Sequence, residues 1–115
     1  MRASFNLAYI ESLFWSEMDS DGTPFDDVKY ADAELAPQAL AKIEADCDAF
    51  VLRLENLLIE PNETIAHDFV LTRNRHGAGF WDGDYEEPLA TQLTNLAHEF
   101  GEQNLYQGDD GLLYV

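Results

Sequence analysis

The sequence predicts an α+β domain in the order ααββαββ, with two N-terminal antiparallel helices and a third helix packed on a small antiparallel sheet. Three observations predict it. Apolar residues recur at spacings of three and four in the N-terminal half and again after Pro88. β-Branched and aromatic residues alternate around residues 65–74, and glycine-bearing turns fall at residues 75–79 and 108–111. Three amphipathic stripes in 115 residues can share one hydrophobic core, so residues 1–115 are read as a single domain.

Taken in order, Leu7, Ile10, Phe14 and Met18 form the stripe of a first helix over residues 4–18, widened by Tyr9 and Leu13. The run Asp19-Ser20-Asp21-Gly22-Thr23-Pro24 stops it, because glycine, proline and short acceptors favour turns. Residues 25–35 are irregular and acidic, with Phe25, Val28 and Tyr30 expected to pin them to the core. The second helix starts with Pro37 in its first turn and runs through Leu40, Ile43, Cys47, Phe50, Leu54 and Leu57, ending before Pro61. The first helix is its simplest partner.

From Ile65 the alternation reads as a strand, Arg75-His76-Gly77-Ala78-Gly79 as a turn and Phe80-Trp81-Asp82 as the returning strand. Leu89, Leu93, Leu96 and Phe100 then give a third helix, which Gly101 is placed to terminate. Two short strands flank Gly108-Asp109-Asp110-Gly111 at the end.

The net charge is −17, from 23 acids against 6 bases, and it is spread along the chain. Residues 1–60 carry 13 acids and 4 bases, and residues 61–115 carry 10 and 2. Phosphate backbones repel such a polyanion, so direct binding to nucleic acid or anionic lipid is disfavoured and a basic partner is expected. An apolar fraction of 46% is that of a folded domain. No apolar run is long enough to cross a bilayer, no signal peptide is evident, and the lone Cys47 has no disulfide partner. These features place the protein in a cytoplasm.

The block HDFVLTRNRHGAGFWDGDY at residues 67–85 concentrates two of the three histidines and two of the six bases. His67, Asp68, Arg73, Arg75, His76 and Asp82 are its candidate site residues. Imidazole and carboxylate together suit zinc or a harder cation, and Gly77-Ala78-Gly79 beside two arginines suits a phosphate. The competing reading is structural: Arg73 or Arg75 paired with Asp68 or Asp82, and a histidine satisfying a backbone carbonyl. No nucleophile motif is present, Cys47 lies on an apolar stripe, and no cofactor or metal is expected. His98 is read as a boundary residue, and Trp15 and Trp81 as core or core-edge residues.

The pattern H-D-F-x-L-T-R-N-x-H-G-A-G-F-W-D resembles one found in a family of small proteins of tailed bacteriophages and prophages. Leu13-Phe14-Trp15-Ser16, residues 19–24, Leu35-Ala36-Pro37, Leu105-Tyr106 and Asp110-Gly111 extend the resemblance over nearly the whole chain. It implies a phage origin and a bacterial host cytoplasm, and carries no activity with it.

The first functional expectation is therefore a non-enzymatic acidic binding protein that inhibits a basic, DNA-binding host factor by imitating DNA, as an anti-restriction or anti-CRISPR protein would. Glu44 and Asp48, one helical turn apart, are spaced like successive phosphates, and Glu55 continues their face. The alternatives are a phage accessory or structural protein, whose acidity only keeps it soluble, and a small metal-dependent hydrolase built on residues 67–82.

Overall fold

The computed structural model describes residues 2–82 and 85–115; Met1, Gly83 and Asp84, two of them inside the 67–85 block, lie outside the described residues. Its elements are α1 (Arg2–Ser16), α2 (Pro37–Asn56), α3 (Glu63–Arg73), α4 (Leu89–Glu99), β1 (Tyr106–Gln107) and β2 (Leu113–Tyr114), with a 3₁₀ turn at Val28–Tyr30. The fold is thus helix-dominated, in the order ααααββ. The expected α+β arrangement ααββαββ is wrong, because the segment read as the first strand of a hairpin is a helix.

That helix, α3, begins where Asn62 caps it: the side-chain oxygen accepts the Ile65 N–H at 2.8 Å, and Glu63 adds favourable charge in the first turn. Eight of its eleven residues are buried. A helix packed on nearly every side has no polar face, so the 3.6-residue period that identifies amphipathic helices is absent. Strand preference reflects a fit to a half-buried pleated surface more than a backbone preference, and tertiary packing overrides it here. The polar cap Pro61-Asn62-Glu63 was the available signal.

The helices α2 and α4 follow their predicted stripes at the centre, with Ile43, Cys47, Phe50 and Leu54 of α2 and Leu93 of α4 fully buried, whereas Leu40 and Leu57 at the ends of the α2 stripe are exposed and Leu89, Leu96 and Phe100 are half-buried. In α1 the buried apolar positions are Phe5, Tyr9 and Leu13, joined by Ser12. The expected stripe is rotated: Leu7 and Met18 face solvent, and Ile10 and Phe14 are half-buried. An α1 that is apolar nearly all round offers two stripes, and contact with the rest of the fold selects one. The main partner of α1 is α3, with α2 second.

Residues 17–36 wrap the end of α1. Phe25 and Tyr30 are buried as expected, whereas Val28 is 87% exposed. The Asp19 side chain organises this turn, accepting the main-chain N–H groups of Asp21 and Thr23 together with Lys29 Nζ at 2.8 Å and the Tyr30 hydroxyl at 2.6 Å. These donors hold its carboxyl well below the usual carboxylate range. At the other end, β1 and β2 pair antiparallel, and β2 also ties down residues 34–36 through Leu113.

One aromatic core joins the helices. The rings of Phe50 (α2) and Phe69 (α3) stack with centroids 3.9 Å apart, and Phe100 meets both edge-on. Such pairs add roughly 0.5–1.5 kcal/mol each beyond the area they bury.

Candidate functional site

The described residues of the 67–85 block divide into an inward set and an outward set, because the block begins as a buried helix and continues into a loop that reaches the surface at Arg75, Trp81 and Asp82. Arg73, in the last turn of α3, belongs to the inward set and is 2% exposed. Its guanidinium donates to the Tyr9 hydroxyl at 3.0 Å, Asp46 Oδ2 at 2.9 Å, the Gly101 carbonyl at 2.8 Å and the Phe100 carbonyl at 3.1 Å. It also lies over the rings of Phe69 and Phe100. Four donated hydrogen bonds, one of them to a carboxylate, satisfy a cation that would otherwise be very costly to bury. Arg73 does pair with a carboxylate, but the partner is Asp46 in place of the expected Asp68 or Asp82. On a helix Arg73 points toward α2 and the end of α4, which brings Asp46 to it instead.

The network continues through Gln103, which accepts from the Tyr9 hydroxyl at 2.5 Å and donates to Asp46 at 3.3 Å. Asn74 and the Gln103 main chain exchange two hydrogen bonds, at 3.0 and 2.6 Å. Thr72 Oγ1 accepts the Phe80 N–H at 3.1 Å, folding the loop back onto the helix. Asp68 is buried and accepts from the Tyr85 hydroxyl at 3.3 Å. These residues join elements; Thr72, Asn74, Gln103 and Asp68 are buried, and Asp46 and Tyr85 are partly exposed at the edge of the network.

The outward set is different. The helix ends in a Schellman motif, with the His76 N–H on the Leu71 carbonyl at 2.9 Å and the Arg75 N–H on the Thr72 carbonyl at 3.1 Å. Arg75 occupies the left-handed position, φ +57°, where glycine is usual. Its side chain is exposed and has no hydrogen bond or ion pair among the described residues. Asp82 is exposed as well.

His76 lies at the junction of two adjoining clefts beside the end of α1. The larger, about 580 Å³, is lined by Trp15, Met18, Pro24, Leu71, Gly77 and Ala78 among others. His76 Nε2 is 3.3 Å from Oε2 of the buried Glu17, whose other oxygen accepts from Asn104 Nδ2 at 2.9 Å and the Leu105 N–H at 3.2 Å. A carboxylate fixed in this way orients the imidazole. His67 pairs elsewhere: its Nδ1 is 2.9 Å from Ser12 Oγ, and its ring packs 5.5 Å from Trp15. The two histidines therefore serve different points, His67 on α1 and His76 on the residue that follows it. Among the described residues no group of three or more His, Cys, Asp or Glu side chains converges as a metal centre requires.

The acidic positions Glu44, Asp48 and Glu55 are exposed on α2. At 100° per residue they share one flank of the helix, and the two α2 bases, Lys42 and Arg53, lie toward the opposite flank. Trp15 and Trp81 are 57% and 45% exposed, so of the expected core or core-edge placements the core one does not hold. Reasoning from sequence missed Trp15, Met18 and Glu17 as cleft residues and Asp46 as the arginine's partner. Trp15 and Met18 were detectable in principle, since they fall off the stripe formed by Phe5, Tyr9 and Leu13. No family model matches the chain, and no curated protein or solved structure matches it.

Proposed function

We propose that the protein is a phage-encoded acidic binding protein that engages a basic, DNA-binding host protein by presenting carboxylates where DNA presents phosphates. The observation that carries this reading is the exposed acidic flank of α2, formed by Glu44, Asp48 and Glu55 on a chain of net charge −17. Glu44 and Asp48 are about 6 Å apart along the helix axis, and Glu55 continues the row roughly 10 Å further on. A basic groove that holds a phosphate row meets a similar linear array here, and long-range attraction would steer the two together. The phage origin rests on the resemblance of the 67–82 block and the host cytoplasm follows from it. Consistent with a protein that works off the membrane, no helix among the described residues is long and apolar enough to cross one.

The test is capture of host DNA-binding proteins at low and high salt, followed by competition with duplex DNA. Affinity should fall steeply as salt shortens the screening length to about 8 Å near physiological strength. Duplex DNA should displace the protein, and Glu44→Lys, Asp48→Lys and Glu55→Lys together should weaken binding without unfolding it. A partner indifferent to both salt and DNA would remove mimicry in favour of an accessory role in the phage.

A catalytic reading would rest on the Glu17–His76 pair beside the cleft. It ranks below both the binding and the accessory readings, because the residues proposed for metal-assisted hydrolysis, His67, Asp68, His76 and Asp82, are dispersed among an α1 contact, a buried helix face and an exposed loop.

A further inference from the structure

The cleft between the end of α1 and the loop after α3 combines exposed apolar side chains with an acidic rim. Trp15 and Met18 are 57% and 58% exposed in the described chain, and Pro24, Leu71 and Ala78 supply the rest of the apolar lining. Exposed large side chains grouped around a concavity mark recognition sites more often than solvent-facing surface does. The walls are also ordered. Trp15 packs on the His67 ring, and the backbone of residue 18 pairs with that of residue 24. Asp26 belongs to the lining, and Glu11 lies one helical turn before Trp15 on the same exposed face. Of the bases in the flanking segments, Lys29 is tied to Asp19 at 2.8 Å, and Arg75, next to the lining residues His76 and Gly77, is exposed on the loop. An apolar floor with carboxylates at its edge fits a ligand that is apolar at its centre and cationic around it.

We propose that this cleft is an anchor for the partner, taking one aliphatic side chain of a basic protein whose neighbours in sequence are arginine or lysine. The proposal rests on the reading of the protein as a binder of a basic host factor, and adds a specific contact to its diffuse attraction. Charge selects the direction and the cleft supplies the selectivity, since interface energy concentrates in a few buried aromatic and apolar anchors. A second copy of this chain is a poor occupant, because two bodies of charge −17 repel.

The experiment uses a fluorescently labelled, capped peptide with one leucine between two arginines on each side. Two counterparts replace the leucine by alanine or the arginines by glutamine. Binding is read by anisotropy at physiological salt, and Trp15 emission is read in a Trp81→Phe background, which leaves Trp15 as the only tryptophan. The leucine peptide should bind at least about tenfold tighter than the alanine peptide and shift Trp15 emission to the blue, as hot-spot burial predicts. Trp15→Ala and Met18→Gln should each abolish that preference, the second guarding against a folding defect in the first. The Glu44→Lys, Asp48→Lys, Glu55→Lys protein should bind both peptides more weakly and keep the preference. Equal binding of the leucine and alanine peptides would overturn the anchor while leaving the acidic-surface reading in place. A glutamine peptide that binds as tightly as the arginine one would overturn the cationic part of the proposal. A Trp15-dependent dimer in sedimentation would assign the cleft to a second copy instead. No salt-dependent binding of either arginine peptide would overturn the anchor and the acidic-surface reading together.

Discussion

Arg73 reaches Asp46 at 2.9 Å from a site where the arginine is almost wholly buried and the carboxylate is one-third exposed. The asymmetry assigns the roles. Asp46 retains part of its hydration, whereas Arg73 depends on its partners. Removing the arginine orphans the Phe100 and Gly101 carbonyls and empties the space between two aromatic rings. Arg73→Met should cost about 3 kcal/mol or more, and Asp46→Asn less than that, since the amide can still accept one hydrogen bond. Urea denaturation of both variants measures this, and a cost below about 1 kcal/mol for Arg73→Met would contradict the cross-linking role.

Two helices end on residues that glycine would serve better. Leu58 follows α2 at φ +59° and is 95% exposed, and Arg75 follows α3 at φ +57°. Both occupy the left-handed position of a Schellman motif, with the Ile59 N–H on the Leu54 carbonyl closing the first. Side chains there cost roughly 1 kcal/mol, partly offset by the greater freedom glycine gives the unfolded chain. Leu58→Gly and Arg75→Gly should each stabilise the protein by about 0.5 kcal/mol or slightly more, seen as a thermal midpoint a few degrees higher. A lower midpoint would mean that either side chain makes a contact in the fold.

The two glycines of the His76-Gly77-Ala78-Gly79 turn differ in what they permit. A methyl group at Gly77 meets open space, whereas at Gly79, φ +153°, it would collide with Thr72 Oγ1 and the Trp81 ring. Thr72 Oγ1 is the acceptor that fixes the Phe80 N–H. Gly77→Ala should be nearly neutral, and Gly79→Ala should cost about 2 kcal/mol or more through strain and the displaced hydrogen bond. Comparing their unfolding midpoints separates the two positions.

Burial pushes the Cys47 thiol up to about 12 from an ordinary value near 9, with the nearby Asp46 charge adding to it. Burial likewise raises the Tyr9 phenol, against the opposing pull of Arg73. Both groups are held neutral in the fold, so the stability they contribute is complete below pH 9 and declines as pH rises from 9 toward 12. Denaturation midpoints should therefore fall at alkaline pH, and fall less in Cys47→Ala. At pH 8, iodoacetamide should modify Cys47 only at the rate of global unfolding. Alkylation as fast as that of a free thiol would mean that the α2 core opens locally.

Several features were legible in the chain itself. The heptad-like spacing of Ile43, Cys47, Phe50 and Leu54 defines α2, Gly101 ends α4 with φ +72°, and the 108–111 turn pairs Tyr106 with Tyr114. These are local determinations, since stripe, cap and turn residues act within a few positions of themselves. The net charge of −17 is equally a property of the sequence. Tertiary structure decided the rest. Whether Ile65-Ala66-His67-Asp68-Phe69-Val70 became strand or helix depended on its burial on every side, a condition that alternation along the chain does not encode. The partner of Arg73 depended on which helix lay opposite, and Asp46 lies 27 residues away. Trp15, Met18 and His76 became a cleft only when the end of α1 met the loop after α3, because a concavity exists between elements and no single segment contains it.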